Sequence, residues 1–399
     1  MGFHRDRIIQ EDEQGWSFTS QHVCSGCVND YALQAIIVAA EDTTATCDFC
    51  GGTPAAELDV LLEAFVRGLR TEYGDADDEG VYYDGREGGY QWHRTWDTWD
   101  LVEEFSDVLT GEGLLDAVRE AMHDRTWVEV RFIEPRREEA LIASWERFCE
   151  AVVYETRYVF WLRGDEADER LRGAGEIPAS RILDELGDLI ETLELLRELP
   201  SGYRVWRARL HSVQAVAWGA SDLGTAPREY ATQANRMSPA GIPMFYGSED
   251  PATAIQEVAV RAGEKDRWVT VGAFDTSQPS VVVDFTNLLP VPSMFDPERG
   301  RLRRPLLFLH KLVALLSKPA QVTHEQIDYV PTQVVTEYLL RIFAKGKLVV
   351  GLLYASALTG NPSIVLDVPH DHCVEQEPGW EASGDGRLRL GLVPGSIET

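Results

Sequence analysis

Two cysteine pairs near the amino terminus constrain the fold of this chain more than any other feature. Each pair has the spacing C-x-x-C, and 19 residues separate one pair from the next. Such a short loop brings two thiolates to one ion, and two loops complete the tetrahedral set that Zn²⁺ prefers. Because four thiolates leave no open coordination position, we predict a structural zinc site with the ligands Cys24, Cys27, Cys47 and Cys50. Two disulfides or a redox pair are the alternatives.

Length and charge narrow the class of protein. A chain of 399 residues is predicted to form two or three domains. Its net charge of −29 argues against a face that tracks nucleic-acid phosphates, although a local basic pocket for a small phosphorylated ligand stays open. The first ten residues lack a signal-peptide core, and no apolar run near the start is long enough to span a bilayer. We therefore expect a cytoplasmic protein without a membrane partner, in which disulfides would be unusual.

The pattern of apolar residues along the chain changes near residue 200. Before it, apolar residues recur at helical spacing, as in residues 58–69, 113–123, 138–162 and 179–198. After a hinge at residues 199–202, short β-rich runs alternate with helical patterns. The predicted fold class is α+β, with a zinc-knuckle and α-helical domain over 1–199, a catalytic α/β domain over 200–370 and a flexible tail over 371–399.

Several blocks of the second half carry a family resemblance. They are YRVWRAR (203–209), NRMSPAGIPMFYGSEDPATAIQE (235–257), LPVPSMFD (289–296), DYVPTQVVTEYLLR (328–341) and GLLYASALTGNPSIVL (351–366). Together these blocks resemble the RES domain, a family named for its Arg, Glu and Ser residues. The amino half, with its double C-x-x-C, resembles the HEPN-like amino-terminal domain attached to some RES proteins.

The resemblance implies a fold related to the ADP-ribosyltransferases and a reaction on NAD⁺. Matched motif by motif, the functional residues of the family fall on Arg207, Arg236, Tyr246, Glu257 and Ser356. At the second arginine this sequence departs from the family, because Asn-Arg-Met-Ser replaces the commoner Gly-Arg-Trp-Asn.

A second arginine on the same strand keeps one assignment open. Arg209 stands two positions after Arg207, on the same face of a predicted strand. It could therefore bind the ligand in place of Arg207.

The chemistry of NAD⁺ cleavage suits these residue types. Loss of nicotinamide passes through an oxocarbenium-like state, as glycoside hydrolysis does. Arg207 and Arg236 are assigned to the pyrophosphate, since the guanidinium binds phosphate oxygens bidentately. Tyr246 is assigned to stacking on nicotinamide with its hydroxyl left for a hydrogen bond, Glu257 to the ribose and its developing charge, and Ser356 to a further hydrogen bond.

Each of these residues also has an ordinary structural interpretation. An arginine on a strand surface pairs with carboxylates, and a half-buried tyrosine is common in sheets. Glu257 belongs to a helix that starts at a proline, where an exposed glutamate is usual. Ser356 fits a turn. The co-occurrence of these residues in family order is what favours the functional interpretation.

The resemblance implies a toxin of a toxin–antitoxin pair that depletes NAD⁺ by phosphorolysis or hydrolysis. Mono-ADP-ribosylation of a macromolecule is the nearest enzymatic alternative, and an inactive zinc-dependent interaction module is the non-enzymatic one. The expected partners are NAD⁺ as substrate, a cognate antitoxin and a second copy in a homodimer. Whether water, phosphate or a macromolecule accepts the ADP-ribose is left open.

Overall fold

The contacts within the chain divide it into two units. The computed structural model describes residues 2–86, 88–92, 94–130, 137–162, 177–213, 218–260, 268–317, 325–343, 348–382 and 384–399. The first unit joins Met1–Arg136 to Pro290–Leu306, and the second joins Arg137–Leu289 to Leu307–Thr399. This division groups residues 137–199 with the carboxy-terminal part of the chain. The domain boundary that the sequence suggests at residue 199 stays a prediction. Helices and strands occur in both units, so the predicted α+β class is confirmed.

The first unit is mainly helical. Its helices are α1 (Gly2–Gln14), α2 (Tyr31–Ala40), α3 (Leu58–Glu72), α4 (Thr98–Glu103) and α5 (Leu114–Ala121). Its strands are β1 (His22–Val23), β2 (Ala56–Glu57), β3 (Tyr73–Asp75), β4 (Tyr83–Asp84), β5 (Gly89–Tyr90), β6 (Trp96–Asp97) and β7 (Thr126–Glu129). The helical spacing predicted over 58–69 is confirmed, because the apolar face of α3 is buried in the core of this unit.

A segment from late in the chain completes that core. Phe295 is 3% exposed and stacks on Phe65 of α3, with ring centroids 5.2 Å apart and an interplanar angle of 19°. Gly68 makes room for it, since a Cβ there would lie 2.2 Å from the Phe295 ring. Tyr31 donates a 2.8 Å hydrogen bond to Asp296. Residues 290–306, which include part of one RES-like block, therefore belong structurally with the amino-terminal helices.

The second unit is built around a large sheet. Its helices are α6 (Arg137–Glu150), α7 (Ile182–Thr192), α8 (Ala220–Leu223), α9 (Pro251–Ala259), α10 (Arg303–Ser317, which begins in the first unit), α11 (Glu325–Asp328) and α12 (Val330–Arg341). Its strands are β8 (Leu196–Leu199), β9 (Arg204–His211), β10 (Phe245–Ser248), β11 (Trp268–Thr276), β12 (Ser280–Asp284), β13 (Val349–Ala355), β14 (Pro362–Leu366), β15 (Cys373–Glu375) and β16 (Leu390–Leu392). Among the described residues these nine strands form one sheet in the order β15-β16-β11-β9-β10-β14-β13-β12-β8.

Two neighbouring strands in the middle of this sheet, β9 and β10, are paired at one position. β9 pairs with β11 along its whole length, from Arg204 to His211. With β10, its other neighbour, it shares the register pair Trp206 and Ser248. The pairing of β9 with β10 is therefore much shorter than its pairing with β11.

The structure departs from the sequence prediction at two places in this unit. The helix predicted over 179–198 ends at Thr192, and Leu196–Leu199 becomes the edge strand β8, paired with β12. The tail predicted to be flexible instead supplies β15 and β16, because Leu388, Leu390 and Leu392 fill the core beside the sheet. Within the described part of the chain, no helix has the length and apolar character that crossing a membrane requires.

Candidate functional site

The four paired cysteines converge on one point in the first unit. Their Sγ atoms all lie within 4.8 Å of one another, and the separations are 3.4 Å for Cys24 and Cys50 and 3.7 Å for both Cys24–Cys27 and Cys27–Cys47. All four are free thiols, not disulfides. Four sulfurs at about 2.3 Å from a central Zn²⁺ would stand about 3.8 Å apart, so the cluster fits a tetrahedral metal ion.

Local hydrogen bonds form the two cysteine loops. Cys24 precedes a 3₁₀ turn over Ser25–Cys27. The second loop is closed by two backbone bonds between Cys47 and Gly51–Gly52, and Gly51 takes a φ of 72°, which favours glycine. The backbone N–H of Gly52, followed by the neighbouring thiols, lowers the pKa of Cys50 to about 7. Burial raises the pKa of Cys27. A thiolate is therefore most accessible at Cys50, which is also the exposed member.

The second unit contains a polar cleft of about 510 Å³. Four of the five residues that the RES resemblance predicts line it: Arg207, Arg236, Tyr246 and Glu257. They come from a strand, a loop, a second strand and a helix. The fifth residue, Ser356, is buried directly behind Glu257.

The structure distinguishes between the two candidate arginines of β9. Arg207 lines the cleft, donates a 3.0 Å hydrogen bond to the Tyr246 carbonyl oxygen and lies over the Phe245 ring. Arg209 donates to the Gly224 carbonyl oxygen at 2.6 Å and does not line the cleft. Burial, and then the charge of Arg209, lowers the pKa of Arg207. The buried Nε atoms of Arg207 and Arg209 both have no hydrogen-bond partner within the described part of the chain, so it is the position of Arg207 in the cleft that makes it the candidate to bind an anion.

Tyr246 uses its hydroxyl within the protein. The oxygen lies 2.9 Å from the Ser238 hydroxyl and accepts a 3.2 Å hydrogen bond from the Met237 backbone N–H. The hydroxyl that the sequence analysis left for the ligand therefore supports the loop that carries Arg236. Arg236 itself is half-buried, with its guanidinium 5.6 Å from the centroid of the Tyr329 ring.

Glu257 and Ser356 form a directed pair. The Ser356 hydroxyl donates to Oε1 of Glu257. The Ser356 hydroxyl oxygen in turn accepts the backbone N–H groups of Leu358 at 3.2 Å and Thr359 at 3.3 Å. Because both of its lone pairs accept these N–H groups, the hydroxyl is left with its one proton to donate to Glu257.

Local chemistry sets the position of this pair. Asp250 caps α9 by accepting the Thr253 backbone N–H at 2.8 Å, and Pro251 occupies the first turn, as the proline predicts. The Asn361 amide then reaches both Asp250 and Thr253, at 3.3 Å each. These bonds hold the loop after β13 against the start of α9, so that Ser356 faces Glu257.

Several residues that shape the cleft are not among the site residues predicted from the sequence. Asn235 and Ser238 line it on either side of Arg236. Behind them, Thr332 and Gln333 of α12 are buried polar residues that donate to backbone carbonyl oxygens of residues 235–238. The available signal was the presence of Thr and Gln on an otherwise apolar helix, within the block quoted as DYVPTQVVTEYLLR.

Family models match both parts of the chain. Residues 204–385 match the RES domain, and residues 40–166 match the HEPN/RES N-terminal domain 1. No curated protein and no solved structure matches the chain. The two family matches confirm the resemblance drawn from the sequence blocks and from the double C-x-x-C half.

Proposed function

Since this chain is a RES-domain protein with a HEPN/RES N-terminal domain, we propose that it cleaves the bond between nicotinamide and ribose in NAD⁺. RES domains are associated with NAD-acting enzymes of toxin–antitoxin systems. The observation that carries the proposal is the convergence of Arg207, Arg236, Tyr246 and Glu257 on one cleft of about 510 Å³. Its charged lining is two arginines and one carboxylate, in a chain whose net charge is −29.

The two arginines have the chemistry to hold the substrate. A pyrophosphate carries two negative charges, and a guanidinium offers paired N–H donors to its oxygens. Arg207 is fixed by its bond to the Tyr246 carbonyl oxygen, and Arg236 by the loop that surrounds it. Both are therefore oriented before the ligand arrives, which lowers the entropy cost of binding.

Glu257 acts on the ribose. As the C1′–N bond breaks, its electron pair passes to the pyridinium nitrogen, neutral nicotinamide leaves and positive charge develops on C1′ and the ring oxygen. The Ser356 hydroxyl orients Glu257 through Oε1, and we assign Oε2 to the ribose hydroxyls. A carboxylate fixed in this way stabilises the cation without having to reorganise. Water or inorganic phosphate then attacks C1′ and loses a proton.

We further propose that the cysteine cluster holds structural Zn²⁺. The support is the set of four free thiols at tetrahedral spacing. The measurement is the metal content of the purified protein, for which one zinc per chain is expected. Protein that retains four titratable thiols and no metal under zinc-replete expression would contradict this. A cognate antitoxin and a homodimer stay predictions.

The test of the enzymatic proposal is nicotinamide release from NAD⁺, with and without inorganic phosphate. Glu257→Gln removes the charge and keeps the shape, so we expect the rate to fall about 10²–10³-fold, the usual loss for one preorganised electrostatic group. Glu377→Gln is the matched control, since Glu377 is exposed and does not line the cleft.

The products discriminate between the remaining functions. ADP-ribose-1″-phosphate formed only when phosphate is present identifies phosphorolysis, and free ADP-ribose identifies hydrolysis. Radiolabel from NAD⁺ on protein or nucleic acid indicates transfer to a macromolecule instead. If the parent releases no nicotinamide under any of these conditions, or if Glu257→Gln releases it as fast as the parent, the proposal fails.

A further inference from the structure

Arg236 stands at the tip of a tight turn. The backbones of Asn235 and Ser238 form a closed bridge, with the Asn235 N–H donating at 2.8 Å and the Ser238 N–H at 3.3 Å. Arg236 and Met237 are the two central residues, and neither adopts a positive φ. Two-residue connections normally use positive φ values and are supported by the strands they join. No strand flanks this turn within the described residues, so its conformation depends on groups outside it.

One side chain contacts both ends of this turn. The Gln333 amide nitrogen donates to the Asn235 carbonyl oxygen at 2.8 Å and lies 3.4 Å from the Ser238 carbonyl oxygen. Because both partners are carbonyl acceptors, the amide NH₂ of Gln333, and not its oxygen, must face the turn. Gln333 is 7% exposed, and because each of these carbonyl oxygens also accepts a backbone N–H across the turn, its amide adds a second donor at both ends.

Neighbouring residues of α12 complete the support. Thr332 directs its hydroxyl at the Arg236 carbonyl oxygen as well as at its own helix. Thr336, one turn further on, contacts the Met237 sulfur at 3.3 Å. All three α12 side chains are buried, so this face of the helix is polar where it contacts the turn.

We infer that Gln333 is a positioning residue that fixes the Arg236 guanidinium in the cleft, with Thr332 as its auxiliary. This inference rests on the proposed role of Arg236 in binding the NAD⁺ pyrophosphate. Gln333 does not line the cleft, so we expect no contact between it and the substrate. It acts by holding the carbonyl oxygens on both sides of Arg236, so that the turn keeps one conformation and presents the arginine at one place.

The test is the steady-state kinetics of NAD⁺ cleavage in three variants. In Gln333→Ala we expect KM for NAD⁺ to rise about tenfold with kcat within about twofold, since a pyrophosphate contact remote from the breaking bond contributes equally to substrate and transition state. Gln333→Glu, which places carboxylate oxygens against two carbonyl oxygens, should raise KM further. Leu339→Ala, a fully buried position on the same helix, is the control for general destabilisation and should leave KM unchanged.

A double-mutant cycle identifies the route of the effect. If Gln333 acts through Arg236, then Gln333→Ala added to Arg236→Ala causes no further rise in KM. An equal rise in both backgrounds would overturn the inference, as would an unchanged KM in Gln333→Ala. A loss of kcat in place of a rise in KM would also overturn it.

Hydrogen exchange provides a readout that needs no substrate. The backbone N–H groups of Met237 and Ser238 are bonded to Tyr246 and Asn235 in the parent. Both N–H groups should exchange at least several-fold faster in Gln333→Ala than in the parent. In Leu339→Ala, any increase in their exchange rate should be no larger than the increase for the amides of α12. If the parent fails to cleave NAD⁺, the proposed function falls, and exchange alone decides the positioning role. Unchanged exchange at Met237 and Ser238 would then overturn it.

Discussion

The cysteine cluster takes its four ligands from Cys24 to Cys50, whereas the cleft takes its lining from residues spread between Arg207 and Ser363. In the cluster, each loop sets its own geometry through a few backbone bonds, and in the proposed zinc site the four thiols would share one coordination shell. In the cleft, every functional side chain depends on a different supporting contact. A shared shell fails as a whole when one ligand is lost, whereas separately supported side chains can be altered one at a time without unfolding the protein.

The largest effect should follow removal of one thiol. We expect Cys27→Ser to abolish metal binding and to unfold the cysteine loops, since structural zinc stabilises small domains by about 10–16 kcal/mol at pH 7. The measurements are zinc content and hydrogen exchange over residues 22–57. Cys149→Ser is the control. Because Cys149 lies outside the cluster, we expect this variant to keep one zinc per chain. If Cys27→Ser retained zinc and exchanged its amides as slowly as the parent, the cluster would not depend on all four thiols.

A smaller but still large loss of stability is expected when the first unit loses its contact with residues 290–306. Phe295→Ala removes a ring that is 3% exposed and stacked on Phe65, so we expect a loss of about 3–5 kcal/mol in the free energy of unfolding of that unit. Urea unfolding combined with hydrogen exchange of α3 measures it. Leu289→Ala, at a position 39% exposed, should change stability by less than about 0.5 kcal/mol. Equal stabilities of the two variants would show that residues 290–306 are not part of this core.

The smallest effect should come from a single hydroxyl in the cleft. Tyr246→Phe removes the contacts to Ser238 and Met237, each worth about 1 kcal/mol, so KM for NAD⁺ should rise about tenfold and the melting temperature should fall by only a few degrees. Tyr230→Phe is the matched control, since Tyr230 also lines the cleft but is 74% exposed. A parental KM in Tyr246→Phe, or the same rise in Tyr230→Phe, would contradict the supporting role of the Tyr246 hydroxyl.

How well the sequence predicts each region follows the same contrast. Spacing alone predicted that the four cysteines meet, because a C-x-x-C loop determines its geometry locally. Periodicity predicted α3, and the β-rich runs predicted that strands follow residue 202. The cleft residues could be nominated only by resemblance to a family. The structure brings Arg207, Arg236, Tyr246 and Glu257 together, with Ser356 behind Glu257, and their roles stay proposals.

What the sequence could not supply is pairing over long distances. Nothing in the pattern around Gln333 names the carbonyl oxygens of Asn235 and Ser238 as its acceptors. Similarly, nothing around Phe295 points to Phe65. One missed element did have a local signal: Leu388, Leu390 and Leu392 alternate as a half-buried strand does, within a segment whose glycine and glutamate content suggested a flexible tail.

The late segment in the amino-terminal core also affects how this protein is made. The ribosome completes Phe295 only after 230 further residues have followed Phe65, a delay of roughly 10–50 s at about 5–20 residues per second. During that interval α3 has emerged, but the ring that packs against Gly68 has not. The amino-terminal unit cannot mature in the usual order of synthesis, and a nascent chain interrupted before residue 290 would expose an incomplete apolar core to chaperones and proteases.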